Sequence, residues 1–292
     1  MTVIRMFLVI LVVCVSVAGA VDKQPVRQIS DFTVGSDPEI FSSIEMIQGG
    51  GALLSGFTSS TEDGYMMDGY LAEIDANGQL TWEITLGDTL MEEFYHAQQT
   101  ADGGYIAVGT SNSFGDKAFD MWVVRLDADR NELWSQSIGG YLFGVATRVI
   151  PDGSGGWYIG GFQGSADDGF LADVRVIRME DDGNILWDNI YGGPEHDLGL
   201  AMERTSDGGV IIAGSTHSFT SGNRDGYVGR IDSDGTQVWQ LLIGGPWPDY
   251  FNDMCRTSDN RYALVGTTHS SENSEESDMF IALIDEDSNI LF

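Results

Sequence analysis

Aspartate recurs at Asp68, Asp120, Asp173, Asp225 and Asp278. A ring of carboxylates is the donor set of a hard, oxygen-seeking cation such as Ca²⁺. One acid per repeat at equal radius seldom meets in a single coordination sphere, however, and a carboxylate at a strand start readily accepts backbone or serine hydrogen bonds. A serine column at Ser60, Ser113, Ser165, Ser218 and Ser270 suits that second role. The aspartates are therefore expected to be structural. Ca²⁺ is the one cofactor this column offers, and neither another cofactor nor a dedicated metal site is expected.

A different set of residues suits carbohydrate. Phe219, Trp247 and Tyr250, together with Tyr141 and Phe143, could stack on sugar rings, while Glu93, Asp197 and Asp249 could accept hydroxyl hydrogen bonds. The competing reading packs these aromatics between structural units. His217 and His269 occupy the same repeat position and read as a consensus echo, with Asn112, Gln163 and Ser59 at or near that column elsewhere. Nucleophilic catalysis lacks a G-x-S-x-G elbow. Glycosidase chemistry needs two carboxylates at a set separation, and with 45 Asp and Glu in the chain some pair fits by chance. Arg148, Arg204 and Arg256 are the arginines that sialidase-like chemistry would have to gather. No catalytic residue is assigned.

What positions these groups is a repeat. An acid stands seven residues before an aromatic at Asp75/Trp82, Asp127/Trp134, Glu180/Trp187, Asp232/Trp239 and Asp285/Phe292, the aromatics recurring at steps of 52 or 53 residues. Such a period marks one supersecondary unit copied in tandem. Glycines recur at Gly56, Gly109, Gly161, Gly214 and Gly266. Val210–Ala213 and Tyr105–Val108 are short apolar runs bounded by glycine, as buried strands are. The run after each column aspartate alternates with period two, so Tyr227, Gly229 and Ile231 share one face. Asp232-Ser233-Asp234-Gly235 and Asp75-Ala76-Asn77-Gly78 are hairpin turns that need positive φ at the glycine. Arg130 and Ser288 replace that glycine and predict a slightly different turn there.

Four short antiparallel strands per unit of this length are the signature of a propeller blade. The fold class expected is all-β, a five-bladed β-propeller of four-stranded antiparallel blades closed by an N-terminal strand. Phe292 stands at the aromatic position of the last unit, and Phe32-Thr33-Val34-Gly35 resembles Ile84-Thr85-Leu86-Gly87. Residues 26–35 are thus expected to complete the last blade and remove open edges. The repeats run approximately over 36–87, 88–140, 141–193, 194–245 and 246–292, as one domain spanning 21–292. A piece of a longer array is the alternative.

The consensus D-G-G-y-i-i-a-G-x-t-x-S … D-x-y-v-x-r-l-D-x-d-G-x-x-x-W-x-x-x-x-G-G resembles the secreted tandem-repeat β-propellers of bacteria and archaea. It also resembles, more distantly, the tryptophan-docking repeats of quinoprotein-like propellers. In this chain the glycine comes three residues and the tryptophan seven residues after the turn acid, one fewer than in those repeats. The resemblance covers residues 26–292 and implies a propeller used for extracellular binding or scaffolding. Function still has to be argued from sites.

Composition bounds the partners. Residues 1–20 read as a secretory signal, with Arg5, an apolar run from Met6 to Val17 and Ala18-Gly19-Ala20 as the cleavage site. Lipid anchoring through Cys14 is the weaker reading, because Val13 precedes the cysteine where a small residue is preferred. Signal removal would leave Cys255 without an internal partner, as a buried core residue. The net charge is −31 with lysine only at Lys23 and Lys117, so a nucleic-acid partner is excluded for want of clustered cations. A solvated acidic surface, adaptation to high salt, or a store for divalent cations or basic partners remain. The expectation is a secreted, surface or periplasmic monomer with no membrane span after signal removal. It acts as a non-catalytic binding module for an extracellular glycan or an envelope protein. A glycan-active hydrolase and a purely structural repeat domain are the alternatives.

Overall fold

The computed structural model describes residues 39–60, 66–114, 119–139, 142–164, 171–220, 223–269 and 277–292. The expected signal, the closing strand at 26–35, Tyr141, Ser165 and Ser270 lie outside the described residues. Among those described there is no helix, and strands follow one another antiparallel in five sheets. Blade one holds β1 (Glu39–Met46), β2 (Gly51–Ser60), β3 (Met66–Asp75) and β4 (Leu80–Leu86). Blade two holds β5 (Glu92–Gln99), β6 (Tyr105–Ser111), β7 (Asp120–Leu126) and β8 (Glu132–Ile138). Blade three holds β9 (Phe143–Pro151), β10 (Trp157–Gly164), β11 (Ala172–Met179) and β12 (Ile185–Tyr191). Blade four holds β13 (Asp197–Arg204), β14 (Val210–Thr216), β15 (Asp225–Ile231) and β16 (Gln237–Ile243). Blade five holds β17 (Asp249–Arg256), β18 (Tyr262–Thr268) and β19 (Asp278–Ile284), and residues 290–292 pair back onto β19 in the place of the fourth strand. There the Leu291 N–H donates to Leu283 O at 2.7 Å and the Leu283 N–H to Phe292 O at 2.9 Å. The chain is a five-bladed β-propeller.

The glycine column exists because inner and second strands touch across it. A Cβ on Gly214 would lie 1.9 Å from Leu198 O, which no side chain can occupy. Each inner strand carries a bulge next to this contact, as between Gly199 and Ala201. The second strands β6 and β14 are buried at every position because blades cover both faces, and sheet packing of this kind favours unbroken apolar runs.

The acid–aromatic pairs divide into two jobs. The acid pins its own hairpin: Asp232 Oδ1 accepts the N–H groups of Asp234 at 3.0 Å and Thr236 at 2.8 Å, and Asp75 does the same for Asn77 and Gln79. The tryptophan docks onto the hairpin of the next blade. The indole N–H of Trp134 donates to Asp181 O at 3.0 Å, that of Trp187 to Ser233 O at 3.0 Å, and that of Trp239 to Glu286 O at 2.9 Å. A half-buried arginine joins it. Arg178 donates to the same Ser233 O at 2.9 Å and binds Asp152 at 2.9 Å, while Arg230 donates to Glu286 O at 3.2 Å.

Two sequence expectations are corrected here. Arg130 and Ser288 do not make a different turn. Both adopt φ of 67°, the left-handed region that glycine takes in the other hairpins, because the acid and the strand pairing fix the turn whatever residue fills it. Cys255 is half-buried on β17 and is disulfide-bonded, not the lone core thiol expected. The other cysteine of the chain, Cys14, lies outside the described residues. No helix among the described residues is long and apolar enough to cross a membrane.

Two outcomes follow for stability. Ser288→Gly relieves a left-handed non-glycine residue and should raise unfolding free energy by about 1 kcal/mol in a denaturant titration. Trp187→Phe keeps most of the packing but removes the indole N–H. It should lower stability by about 1 kcal/mol, whereas an unchanged midpoint would mean that the docking bond carries no stability.

Candidate functional site

The blade-to-blade crossings and the loops leading into the column aspartates lie on one face, held together by hydrogen bonds. His217 N–H donates to His196 O at 2.8 Å, and His269 N–H to Pro248 O at 3.0 Å. Glu195 N–H donates to Ser218 Oγ at 2.9 Å, and Asp249 N–H to Arg224 O at 2.7 Å. The Asn223 amide donates to Pro246 O.

The acids assigned to ligand contact sit deeper than expected. Asp197 and Asp249 are buried. Asp197 Oδ2 accepts Gly193 N–H at 2.7 Å and Ser218 Oγ–H at 2.6 Å, and Asp249 Oδ2 accepts Gly245 N–H at 2.7 Å. Their equivalent in blade two is Glu92, not Glu93: Glu92, Asp197 and Asp249 pair with Ser111, Thr216 and Thr268 at the same register. Glu92 accepts Ser111 Oγ–H at 2.8 Å and Asp88 N–H at 2.9 Å. Glu93 faces the other way and accepts the Tyr95 hydroxyl at 2.7 Å. In blade four the column serine Ser218 thus serves the crossing acid Asp197, and in blade two Ser113 donates its N–H to Glu92 at 3.3 Å.

The column aspartates do not converge with one another. Each of three meets the crossing acid of the next blade across a glycine. A Cβ on Gly192 would lie 2.3 Å from Asp173 Oδ1 and 2.7 Å from Asp197 Oδ2. Gly87 stands likewise between Asp68 and Glu92, and Gly244 between Asp225 and Asp249. Burial, and then the charge of Asp249, holds the Asp225 carboxyl above its ordinary value. Blade three has Gly144 where the crossing acid would stand, and Asp120 instead accepts Ser137 Oγ–H at 3.1 Å. Asp278 is exposed. Among the described residues no group of three or more His, Cys, Asp or Glu is arranged to hold a metal ion.

The aromatics separate. Phe143 packs edge-on against Phe162. Trp247 and Phe219 stand out at 46% and 39% exposure. Tyr250 is half-buried beneath the guanidinium of Arg224, whose Cζ is 4.2 Å from the ring centroid. His196 and His217 pack ring against ring at 6.2 Å. Arg148 and Arg256 are committed elsewhere, to Asp253 at 2.5 Å and to Asn260 at 2.9 Å. Trp134, Trp187 and Trp239 dock on the next hairpin, Trp82 packs edge-on against Tyr105, and Phe292 is largely exposed.

A second cluster, at the centre of the ring of inner strands, was not anticipated. Ser43, His96, Arg148, Ala201 and Asp253 all follow the inner-strand bulge at one register, and Glu45 and Glu203 stand two residues further on. His96, buried on β5, donates from Nε2 to Glu45 Oε1 at 2.9 Å and accepts Val149 N–H at Nδ1 at 3.4 Å, the pattern of a neutral imidazole. Arg148 pairs with Asp253. Among the described residues Glu203 has no such side-chain partner. Burial, and the charges of Glu45 and Asp253, push its carboxyl up to about 7, against an Arg256 N–H bond and the Arg148 charge. The signal in the sequence was a column whose residues change from small to ionisable between copies. The fixed columns drew attention away from it.

No protein-family model matches the chain. A stretch of 87 residues is 28% identical to the regulatory protein FlaEY of Caulobacter vibrioides, taking in 25% of this chain and 9% of that protein. The WD40 domain of Neurospora crassa Pan2 superposes at a TM-score of 0.56 with 11% identity, over 87% of this chain and 65% of that one. A Dyadobacter fermentans protein of unknown function superposes at 0.53 with 10% identity, over 86% and 80%. Puromycin hydrolase superposes at 0.50 with 16% identity, over 85% and 37%. At these identities the likeness is one of fold alone, and the fold is the β-propeller.

The central cluster makes stability depend on pH. Glu203 has a folded value above its ordinary 4.5, so its contribution falls as pH rises through about 7. Burial holds His96 below its ordinary 6.5, so its contribution falls as pH drops below that value. The Glu203 contribution should therefore decline between about pH 4.5 and pH 7, offset below pH 6.5 by that of His96, and Glu203→Gln should flatten the decline up to pH 7. Melting curves of the two proteins across this range check it. A parallel decline in both would remove Glu203 as the cause.

Proposed function

We propose that the chain is an exported, non-catalytic propeller that binds carbohydrate or another cell-envelope polymer on its crossing-loop face. The observation that carries this reading is Trp247, exposed at 46% on a loop that is stiffened on both sides. Pro246 and Pro248 flank it, and the loop receives hydrogen bonds from Asn223 and His269. An exposed indole on a pre-ordered loop stacks on a sugar face with little entropy left to lose. Phe219, the second exposed ring of this face, belongs to the neighbouring loop of blade four. The carboxylates below, Asp197 and Asp249, are tied into the loop backbone and serve to position what stands above them.

One observation favours a hydrolase as the second reading. Asp225 and Asp249 flank Gly244, and burial holds the Asp225 carboxyl above its ordinary value. A raised carboxyl beside a second carboxyl is one requirement of an acid–base pair. Calorimetric titration of the full chain with envelope oligosaccharides, followed by product analysis, separates the two. The binding reading expects unaltered sugar and an affinity at least tenfold weaker in Trp247→Ala. Released fragments that disappear in Asp249→Asn or Asp225→Asn would replace it with the hydrolase.

A further inference from the structure

We infer that the junction of blades four and five reads a carboxylate on its saccharide, through the guanidinium of Arg224; this rests on the binding reading above. In a chain of net charge −31 with 14 basic residues, arginines are drawn to acids. Arg125, Arg175, Arg178 and Arg230 each hold a carboxylate within 3.0 Å. Arg224, like Arg130 and Arg204, departs from that pattern among the described residues. Among the described residues its side chain forms no ion pair, although Asp225 is its neighbour in sequence and Asp249 is bonded to its carbonyl through the backbone. Both of those carboxylates turn toward Gly244 instead.

The guanidinium lies on Tyr250, 4.2 Å from the ring centroid. A guanidinium held over an aromatic face keeps its N–H donors for other partners, and its fork can grip a carboxylate with two parallel bonds. The backbone below is fixed as well: Asp249 N–H holds Arg224 O at 2.7 Å, and Asn223 is tied both to Pro246 and to Thr220. Trp247 stands three residues before Tyr250, so an exposed ring and a cation that holds no carboxylate among the described residues belong to one junction. That pairing suits an acidic sugar unit, with its ring on the indole and its carboxylate on the fork. A neutral sugar would leave the cation unused, and a bare anion would leave the aromatics unused. The overall negative charge opposes long polyanions, but at physiological ionic strength its reach is about 8 Å. A short oligosaccharide with few carboxylates is therefore the fitting ligand.

The test uses the full chain and three probes: trigalacturonate, its methyl ester, and cellohexaose as a neutral chain. Wild type should bind trigalacturonate at least tenfold more tightly than the ester. Arg224→Gln should abolish that preference while leaving the ester affinity unchanged, and Arg224→Lys should restore only part of it. Equal affinity of wild type for acid and ester would overturn the inference, as would equal weakening of both by Arg224→Gln, which would make the arginine a mere support for Tyr250. Binding of cellohexaose alone would leave the binding reading standing and remove the carboxylate from it. Binding of none of the three would remove both.

Discussion

Everything in this fold hangs on one contact: a tryptophan N–H of one blade bonded to a hairpin carbonyl of the next. Trp134, Trp187 and Trp239 make it onto Asp181, Ser233 and Glu286. Arg178 and Arg230 bond to the same carbonyls as Trp187 and Trp239. A carbonyl can take two donors because it has two lone pairs. For it to be in the right place, the hairpin that presents it must be rigid, and that is the work of the turn acid. The pairing of acid and aromatic is thus a relation between neighbouring blades as well as within one. It explains why the turn keeps its shape at Arg130 and Ser288 despite the cost of φ at 67°.

The interior and the faces follow from that docking. Once blades are fixed edge to face, second strands such as β6 and β14 are covered on both sides. The inner strands bring Glu45, His96, Arg148, Glu203 and Asp253 toward one centre. The crossings are drawn tight by Glu92, Asp197 and Asp249, and their backbone needs little else to hold it. This leaves loop positions at which the copies differ, and Trp247 and Arg224 are of that kind. Structural positions repeat, while positions that contact a ligand on one sector need not.

The fold was legible in the sequence because repetition multiplies weak signals. A single D-x-D-G or a lone W says little, but five copies at one period give strand count, turn type and blade number. Glu92 against Glu93 was misread because alternation decides facing, and a one-residue offset reverses it. The roles of Asp197 and Asp249 were hidden for a related reason: a sequence does not tell whether a loop acid looks outward or back at its own amides. The central cluster was invisible because its members share a register only once the bulges are counted, as at Phe94/His96 and Phe251/Asp253. Arg224 carried no motif at all; its meaning comes from Tyr250 beneath it.

The account places the working surface where the copies differ, at the junction of blades four and five. Amide hydrogen exchange of the full chain, with and without a saturating saccharide, tests this most directly. The account predicts that slowed exchange is confined to residues 217–224 and 245–250, with the hairpins at 180–183 and 232–235 unchanged. Protection spread over the equivalent loops of all blades, or centred on the inner strands around His96 and Glu203, would contradict it.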